Sequence, residues 1–135
     1  MDDELLRAYC RSAYRVRLHS GGAAIIRIGE PLPAALRPLA GDRDWGFFTA
    51  WNPHSRPQSA KANRQAQRQL LADLQDDASL DVHPALGCGT DGWREPSFWI
   101  VGIAPATLQQ LGERYGQNAW LSGHGAGTAG LRLGC

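Results

Sequence analysis

The chain has 135 residues, of which 43% are hydrophobic, and its 14 Lys and Arg against 13 Asp and Glu give a formal charge of +1. This length fits a single domain spanning residues 1–135. The charge excludes a strong overall attraction to nucleic acid or anionic membranes. Three cysteines without a Cys-x-x-Cys pair favour a reducing cytoplasm over a disulfide framework. We expect neither a signal peptide nor a membrane span, because no apolar run is long enough.

The first third of the sequence predicts a short helix followed by a β-hairpin. Asp2 and Asp3 can cap the helix, whose apolar residues fall at helical spacing over 5–9. Apolar and basic residues alternate over 14–18, and an apolar run over 23–28 follows a His-Ser-Gly-Gly turn, which predicts two paired strands. Three prolines and two glycines in 29–44 favour a loop with at most one helical turn.

From residue 45 onward the patterns predict alternating strands and helices. An aromatic strand stops at Asn52-Pro53, because proline cannot donate to a ladder. Apolar residues every fourth position, after Ser59 as N-cap, predict the longest helix. The predicted elements are strand 45–51, helix 60–75, strands 79–87 and 97–103, helix 105–115, strand 118–123 and a last strand over 130–134.

This order is the split β-α-β pattern of ferredoxin-like folds. The predicted fold is therefore a single α+β domain with a ferredoxin-like βαββαβ core over about 45–122. The N-terminal helix and hairpin and the C-terminal strand extend that core. A differently ordered α+β sheet is the alternative, because a single sequence determines element types better than strand order.

The stretch TAWNPHSRP, between the first core strand and the long helix, gathers polar residues between two prolines. The helix that follows offers backbone N–H groups and the positive end of its dipole to an anion. Asn52, His54 and Ser55 would stand beside such a ligand. The simpler interpretation is structural: Asn52 closes an Asx turn and His54 is solvated.

A basic row follows this turn. Its cations could hold a phosphate or a nucleic-acid backbone through charge-assisted contacts. A near-neutral chain without interleaved exposed aromatics favours a solvated helix face instead, so nucleic acid is not the favoured partner. Asn63 lies off this row, near the apolar stripe, and is predicted to fasten the preceding loop. The row consists of Arg56, Lys61, Arg64 and Arg68.

Two further polar segments, DGWREPSF and GQNAW, precede later strands. Glu95 beside Trp93 could have a raised pKa and serve as a general acid or base, or it could pair with an arginine in a plain hairpin loop. Gln117 either satisfies loose backbone groups or binds a ligand. The four histidines show no metal-ligand spacing and no nucleotide motif is present, so we expect neither a metal nor a cofactor.

These segments resemble the short bacterial proteins grouped as domain of unknown function 3293. In that family a strand ending Thr-Ala-x-Asn-Pro precedes a helix with an Asn, then a Trp/Glu-Ser-Phe segment and a Gly-Gln-x-Ala segment. The resemblance extends from about Leu5 to the end of the chain, although His54 stands where a small residue is expected. It implies a single cytoplasmic domain but no reaction, cofactor or partner. It draws attention to Asn52, Asn63, Glu95, Ser97 and Gln117.

In a ferredoxin-like sheet the first core strand is antiparallel to the third and fourth, so we expect Asn52, Glu95 and Gln117 to meet at one end of the sheet. The sequence therefore predicts a small cytoplasmic binding module for a small polar or nucleotide-like ligand. One alternative is an enzyme with Glu95 as general acid or base, assisted by His54 or Gln117. Another is a structural or partner-binding protein without a small ligand, and no oligomeric state follows. The predicted lining is Asn52, Asn63, Glu95, Ser97 and Gln117, with Trp51 or Trp93 as a wall.

Overall fold

The computed structural model describes residues 2–134, which form an α+β structure. The helices are α1 (Asp3–Arg11), α2 (Arg37–Ala40), α3 (Ala60–Gln75) and α4 (Pro105–Tyr115). The strands are β1 (Ala13–Arg17), β2 (Ala23–Ile26), β3 (Asp44–Phe48), β4 (Asp81–Cys88), β5 (Arg94–Val101), β6 (Ala119–His124) and β7 (Gly130–Leu133). None of these helices has the length and apolar character needed to cross a membrane.

One antiparallel sheet contains all seven of these strands, in the order β2-β1-β4-β5-β3-β6-β7. The chain after β2 also contacts the segment before β7, through a bridge between Pro31 and Thr128. In addition, the Gly29 N–H donates to the Ala129 carbonyl, and the Ala129 N–H donates to the Glu30 carbonyl. The two ends of the sheet therefore approach each other, and the sheet curls.

Side chains alternate along the strands between two faces of the sheet, and each face has its own apolar core. On the inner face, Trp45 and Trp99 are fully buried, with ring centroids 6.3 Å apart. On the helix face, Phe48 and Ile100 pack against α3 and α4. The leucines that those two helices contribute are Leu70, Leu74, Leu108 and Leu111.

Local signals set the helix ends as the sequence predicts. The Asp2 carboxylate accepts the Leu5 N–H at 2.7 Å, and the Ser59 hydroxyl accepts the Ala62 N–H at 3.1 Å. Gly116 ends α4 in the left-handed region, with φ of 64°. The predicted helices 60–75 and 105–115, the N-terminal helix and hairpin and the last strand are confirmed.

Three places differ from the prediction by an added α-helix or by more than two residues. The segment 29–44 contains more than one helical turn, because a 3-10 turn at Ala34–Leu36 runs directly into α2. The first core strand ends at Phe48, since the Thr49 hydroxyl donates to the Pro96 carbonyl and the Ala50 N–H donates to the Gln67 side chain. In contrast, β5 begins at Arg94, three residues before the predicted start, because its first residues pair with the end of β4.

Candidate functional site

A cavity lies at the end of the inner face where β3 stops. Antiparallel pairing brings the end of β3 beside the starts of β5 and β6, with Phe48 opposite Phe98 and Phe47 opposite Leu121. The space there, counted together with solvent at its open side, is about 380 Å³, and α1 contributes to its wall. The polar side chains that line it are Tyr9, Tyr14, Thr49, Glu95, Ser97 and Gln117.

Glu95 is the central polar group of this cavity. Because alternate residues of β5 face inward, its side chain lies on the face that also carries Trp99, and the residue is only 8% exposed. No Lys, Arg or His among residues 2–134 forms an ion pair with it. Burial raises the pKa of the Glu95 carboxyl to about 7, and a hydrogen bond from the Trp93 indole lowers this pKa in part.

Three side chains beside Glu95 donate hydrogen bonds to backbone carbonyls. The Ser97 hydroxyl donates to the Glu95 carbonyl at 3.0 Å, and the Thr49 hydroxyl donates to the Pro96 carbonyl at 2.7 Å. The Gln117 amide donates to the carbonyls of Trp51 and Tyr115, at 3.2 and 3.3 Å. Its Oε1 accepts no hydrogen bond from the described residues, so Gln117 keeps an acceptor for a ligand.

Two tyrosines that the sequence analysis did not select complete the polar lining. Tyr9 comes from α1 and Tyr14 from β1, and the Tyr14 hydroxyl donates to the Tyr9 carbonyl at 2.7 Å. Burial is the main cause that raises the pKa of both phenols, and the nearby Glu95 charge raises it further. Both side chains are therefore protonated at neutral pH.

Asn52 and Asn63 form a separate amide network rather than part of the cavity wall. The Asn52 N–H donates to Asn63 Oδ1, and Asn63 Nδ2 donates to Asn52 Oδ1, both at 2.8 Å. Asn52 Oδ1 also accepts the Gln58 N–H at 3.1 Å. Asn63 is 2% exposed, so the prediction that it fastens the preceding loop is confirmed. Asn52 and Asn63, which the sequence predicts to line the pocket, are not among the residues that line this cavity.

The turn between β3 and α3 has an unusual backbone. Asn52, His54 and Ser55 have φ values of 46°, 58° and 58°, in the left-handed region that favours glycine. The turn is held to the chain after α4, because the His54 N–H donates to the Gly116 carbonyl at 2.7 Å and Asn118 Nδ2 donates to the Ser55 hydroxyl at 2.8 Å. The His54 side chain is exposed and does not line the cavity with Glu95.

The remaining predicted residues lie in the cavity lining, beside the cavity or on the protein surface. Trp93 lines the cavity, whereas Trp51 contributes only a carbonyl to Gln117. No group of three or more His, Cys, Asp or Glu that could hold a metal ion occurs among residues 2–134. The basic row lies on the surface, away from the cavity lining: Arg56, Lys61, Arg64 and Arg68 are all exposed.

A comparison with family models gives one match, described as Protein of unknown function (DUF3293), over residues 48–120. The matched part includes both the amide network and the Glu95 wall of the cavity, whereas the tyrosines of α1 and β1 precede it. Neither a curated protein nor a solved structure gives a significant match.

Proposed function

The chain belongs to the DUF3293 family, and we propose from its own geometry that it is a small binding protein whose cavity between α1 and the curled sheet holds a small polar ligand. The observation that supports this most is Glu95, a carboxyl that is 8% exposed and has no cationic partner in the described part of the chain. Buried carboxyls are usually paired, so an unpaired one facing a cavity suits a ligand that supplies the partner.

The dimensions of the cavity favour a small ligand over a nucleotide-like one. The roughly 380 Å³ of space at this site includes solvent at its open side, so the enclosed volume is smaller than that. Ligand pockets for drug-sized molecules occupy roughly 300–1,000 Å³. A ligand with a few non-hydrogen atoms therefore suits this cavity better than a nucleotide, with Glu95 and Gln117 Oε1 as its acceptors.

We also propose that the sheet contains a ferredoxin-like core and that the protein is cytoplasmic. The strand order β4-β5-β3-β6, with α3 and α4 packed on one face, supports a ferredoxin-like core within the curled sheet. The free thiols of Cys10 and Cys88 support a cytoplasmic location, where thiols stay reduced.

A fragment screen by two-dimensional NMR tests the binding function. We expect small polar compounds to shift the backbone amides of Glu95, Ser97 and Gln117. Ser97→Leu should abolish these shifts, because the added side chain fills the cavity. Ser20→Leu, at an exposed turn residue, is the matched control and should leave them unchanged. Absence of any fragment that maps to these residues, or binding that persists in Ser97→Leu, would contradict the proposal.

An enzymatic role for the same cavity is the second candidate, and one observation favours it. A carboxyl with a pKa of about 7 is matched to general acid–base work at neutral pH. The fragments that bind should then be converted to product, with a rate that depends on a group titrating near neutrality. Glu95→Gln should abolish turnover while the protein still folds. Bound fragments that stay unchanged in the wild-type protein would exclude this role for them.

A further inference from the structure

The charges and ring systems around the cavity narrow the class of ligand. Among the side chains that line it, Glu95 is the single carboxyl, and Lys, Arg and His are absent from that described lining. The tyrosines remain protonated at neutral pH. Whenever Glu95 is ionised, the cavity therefore has one negative charge and no internal counterion.

Four aromatic side chains contribute to the rest of the wall. Tyr9, Tyr14, Phe47 and Trp93 line the cavity, and Tyr14 meets Phe47 edge to face with centroids 5.2 Å apart. The indole of Trp120 packs against Phe48 on the helix face instead. Aromatic faces carry partial negative charge and attract cations, most strongly where water is excluded.

We propose that the cavity is a binding site for a small organic cation of the alkylated ammonium class, with Glu95 as its counterion and the aromatic rings as its cage. This inference rests on the proposed binding function and names its ligand class. A hard metal ion suits the site less well, since Ca²⁺ and Mg²⁺ need roughly six or more oxygen ligands. An alkylated ammonium ion presents apolar methyl groups to the rings and needs a single carboxylate.

The same geometry predicts how binding depends on pH. The titratable groups that face Glu95 are Tyr9 from α1 and Tyr14 from β1. Both phenols stay neutral over the pH range in which Glu95 titrates. The lining residues from β3, β4, β6 and β7 include no titratable side chain. Since the cation needs the ionised carboxyl, affinity should rise about tenfold between about pH 6 and about pH 8, the range across which Glu95 loses its proton.

Calorimetric titration with choline chloride at constant ionic strength tests the inference. The matched control ligand is dimethylbutanol, the neutral isostere of choline in which a carbon atom replaces the ammonium nitrogen. We expect choline to bind and to shift the amides of Glu95 and Ser97 in NMR spectra. Dimethylbutanol should bind the wild-type protein at least about tenfold more weakly, and Glu95→Gln should weaken choline binding by a similar factor. Glu113→Gln, at an exposed residue of α4, should bind choline as the wild-type protein does.

A second variant keeps the test decisive if Glu95→Gln does not fold. Tyr9→Leu removes one ring from the half-buried end of α1 and leaves the carboxyl in place. It should weaken choline binding about threefold to thirtyfold, the range expected for one cation–π contact. Equal binding of choline and dimethylbutanol in the cavity would overturn the cation inference but leave the binding function standing. A cavity that binds neither choline nor any polar fragment would overturn both.

Discussion

The amide network between β3 and α3 and the cavity around Glu95 lie at the same end of the sheet. They differ in whether their polar side chains have hydrogen-bond or ionic partners within the protein. In the network, Asn52 and Asn63 satisfy each other and the adjacent backbone. In the cavity, Glu95 is buried without a cation in the described part of the chain, and Gln117 retains a spare acceptor. Polar residues at one end of a sheet can thus be structural or available to a ligand, and their hydrogen bonds distinguish the two.

That difference also has an energetic meaning. A satisfied buried network stabilises the fold and has nothing left to bind. A buried carboxyl without a partner destabilises the folded state, and a ligand that pairs with it can recover that free energy. The free energy of unfolding therefore responds differently to changes in the network and in the cavity.

The largest effect should come from removing the Glu95 charge. Its pKa is about 7 in the folded protein and 4.5 in a model peptide, so between these values the unfolded chain releases a proton that the folded chain keeps. The contribution of Glu95 to stability is therefore greatest at acidic pH and falls as pH rises to about 7, by roughly 3 kcal/mol in total. Glu95→Gln should be more stable than the wild-type protein above neutral pH, and the two should agree at acidic pH.

Urea unfolding of both proteins across this pH range measures that difference. Glu113→Gln, at an exposed site, is the control and should follow the wild-type curve. A Glu95→Gln variant that is less stable than the wild-type protein above neutral pH would show that the carboxylate is paired after all.

Breaking the amide network should cost the next largest amount. Asn63→Ala leaves the Asn52 N–H and Oδ1 without their shared partner, so we expect a loss of about 2 kcal/mol. Gln65→Ala, at an exposed position of the same helix, should change the free energy of unfolding by less than about 0.5 kcal/mol. Guanidinium unfolding compares the two, and similar values for both variants would show that the network is not structural. Choline binding should be the same in Asn63→Ala as in the wild-type protein.

A hydrogen bond between α3 and α4 gives a smaller and pH-dependent effect. The Tyr115 hydroxyl donates to Asp73, and this bond is the main cause that lowers the pKa of that carboxyl. The lowered pKa means that the stabilisation is present above the unfolded pKa and is lost as pH falls through the folded one. Tyr115→Phe should therefore cost about 1–2 kcal/mol at neutral pH and less in acid.

Urea unfolding at neutral pH and at the lowest pH where the wild-type protein is folded checks this expectation. Arg114→Ala removes a 3.1 Å ion pair to the same carboxylate, but its guanidinium is largely exposed, so its loss should stay below about 0.5 kcal/mol. A Tyr115→Phe loss that is the same at both pH values would contradict the assignment of the bond to ionised Asp73.

The smallest effect is expected on the basic row. Arg64 and Arg68 are exposed, and neither forms an ion pair within residues 2–134. Replacing both with alanine should change the free energy of unfolding by less than about 0.5 kcal/mol and leave choline binding unchanged. A marked loss of either property, measured by urea unfolding and calorimetry, would show that this surface contributes to the cavity or to the core.

Helices α1, α3 and α4 were predictable because their signals are local. The Ser59 cap and the four-residue apolar period predict both ends of α3, and Pro105 and Gly116 bound α4 in the same way. The start of β5 was not predicted. Its first residues include charged side chains and a proline, which are typical of loops, and pairing with β4 overrides that preference.

The site was predictable only in part. Glu95, Ser97 and Gln117 precede or begin strands that the predicted order brings together, so their shared position follows from topology. Tyr9 and Tyr14 could not be found in this way, because their place in the wall depends on how α1 lies against the curled sheet, which no local pattern encodes. Asn52 was predicted to line the pocket, whereas its side chain accepts hydrogen bonds from Gln58 and Asn63. An Asn after a strand can face a pocket or a helix, and only packing decides.

The pKa of Glu95, followed by carbon-detected NMR of its side-chain carboxyl, tests the central claim most directly. We predict a value of about 7 in the free protein, because the carboxyl is buried without a cation among the described residues. Saturation with choline should lower that pKa, since the bound cation stabilises the charged form. A pKa near 4.5, unchanged by choline, would contradict the account.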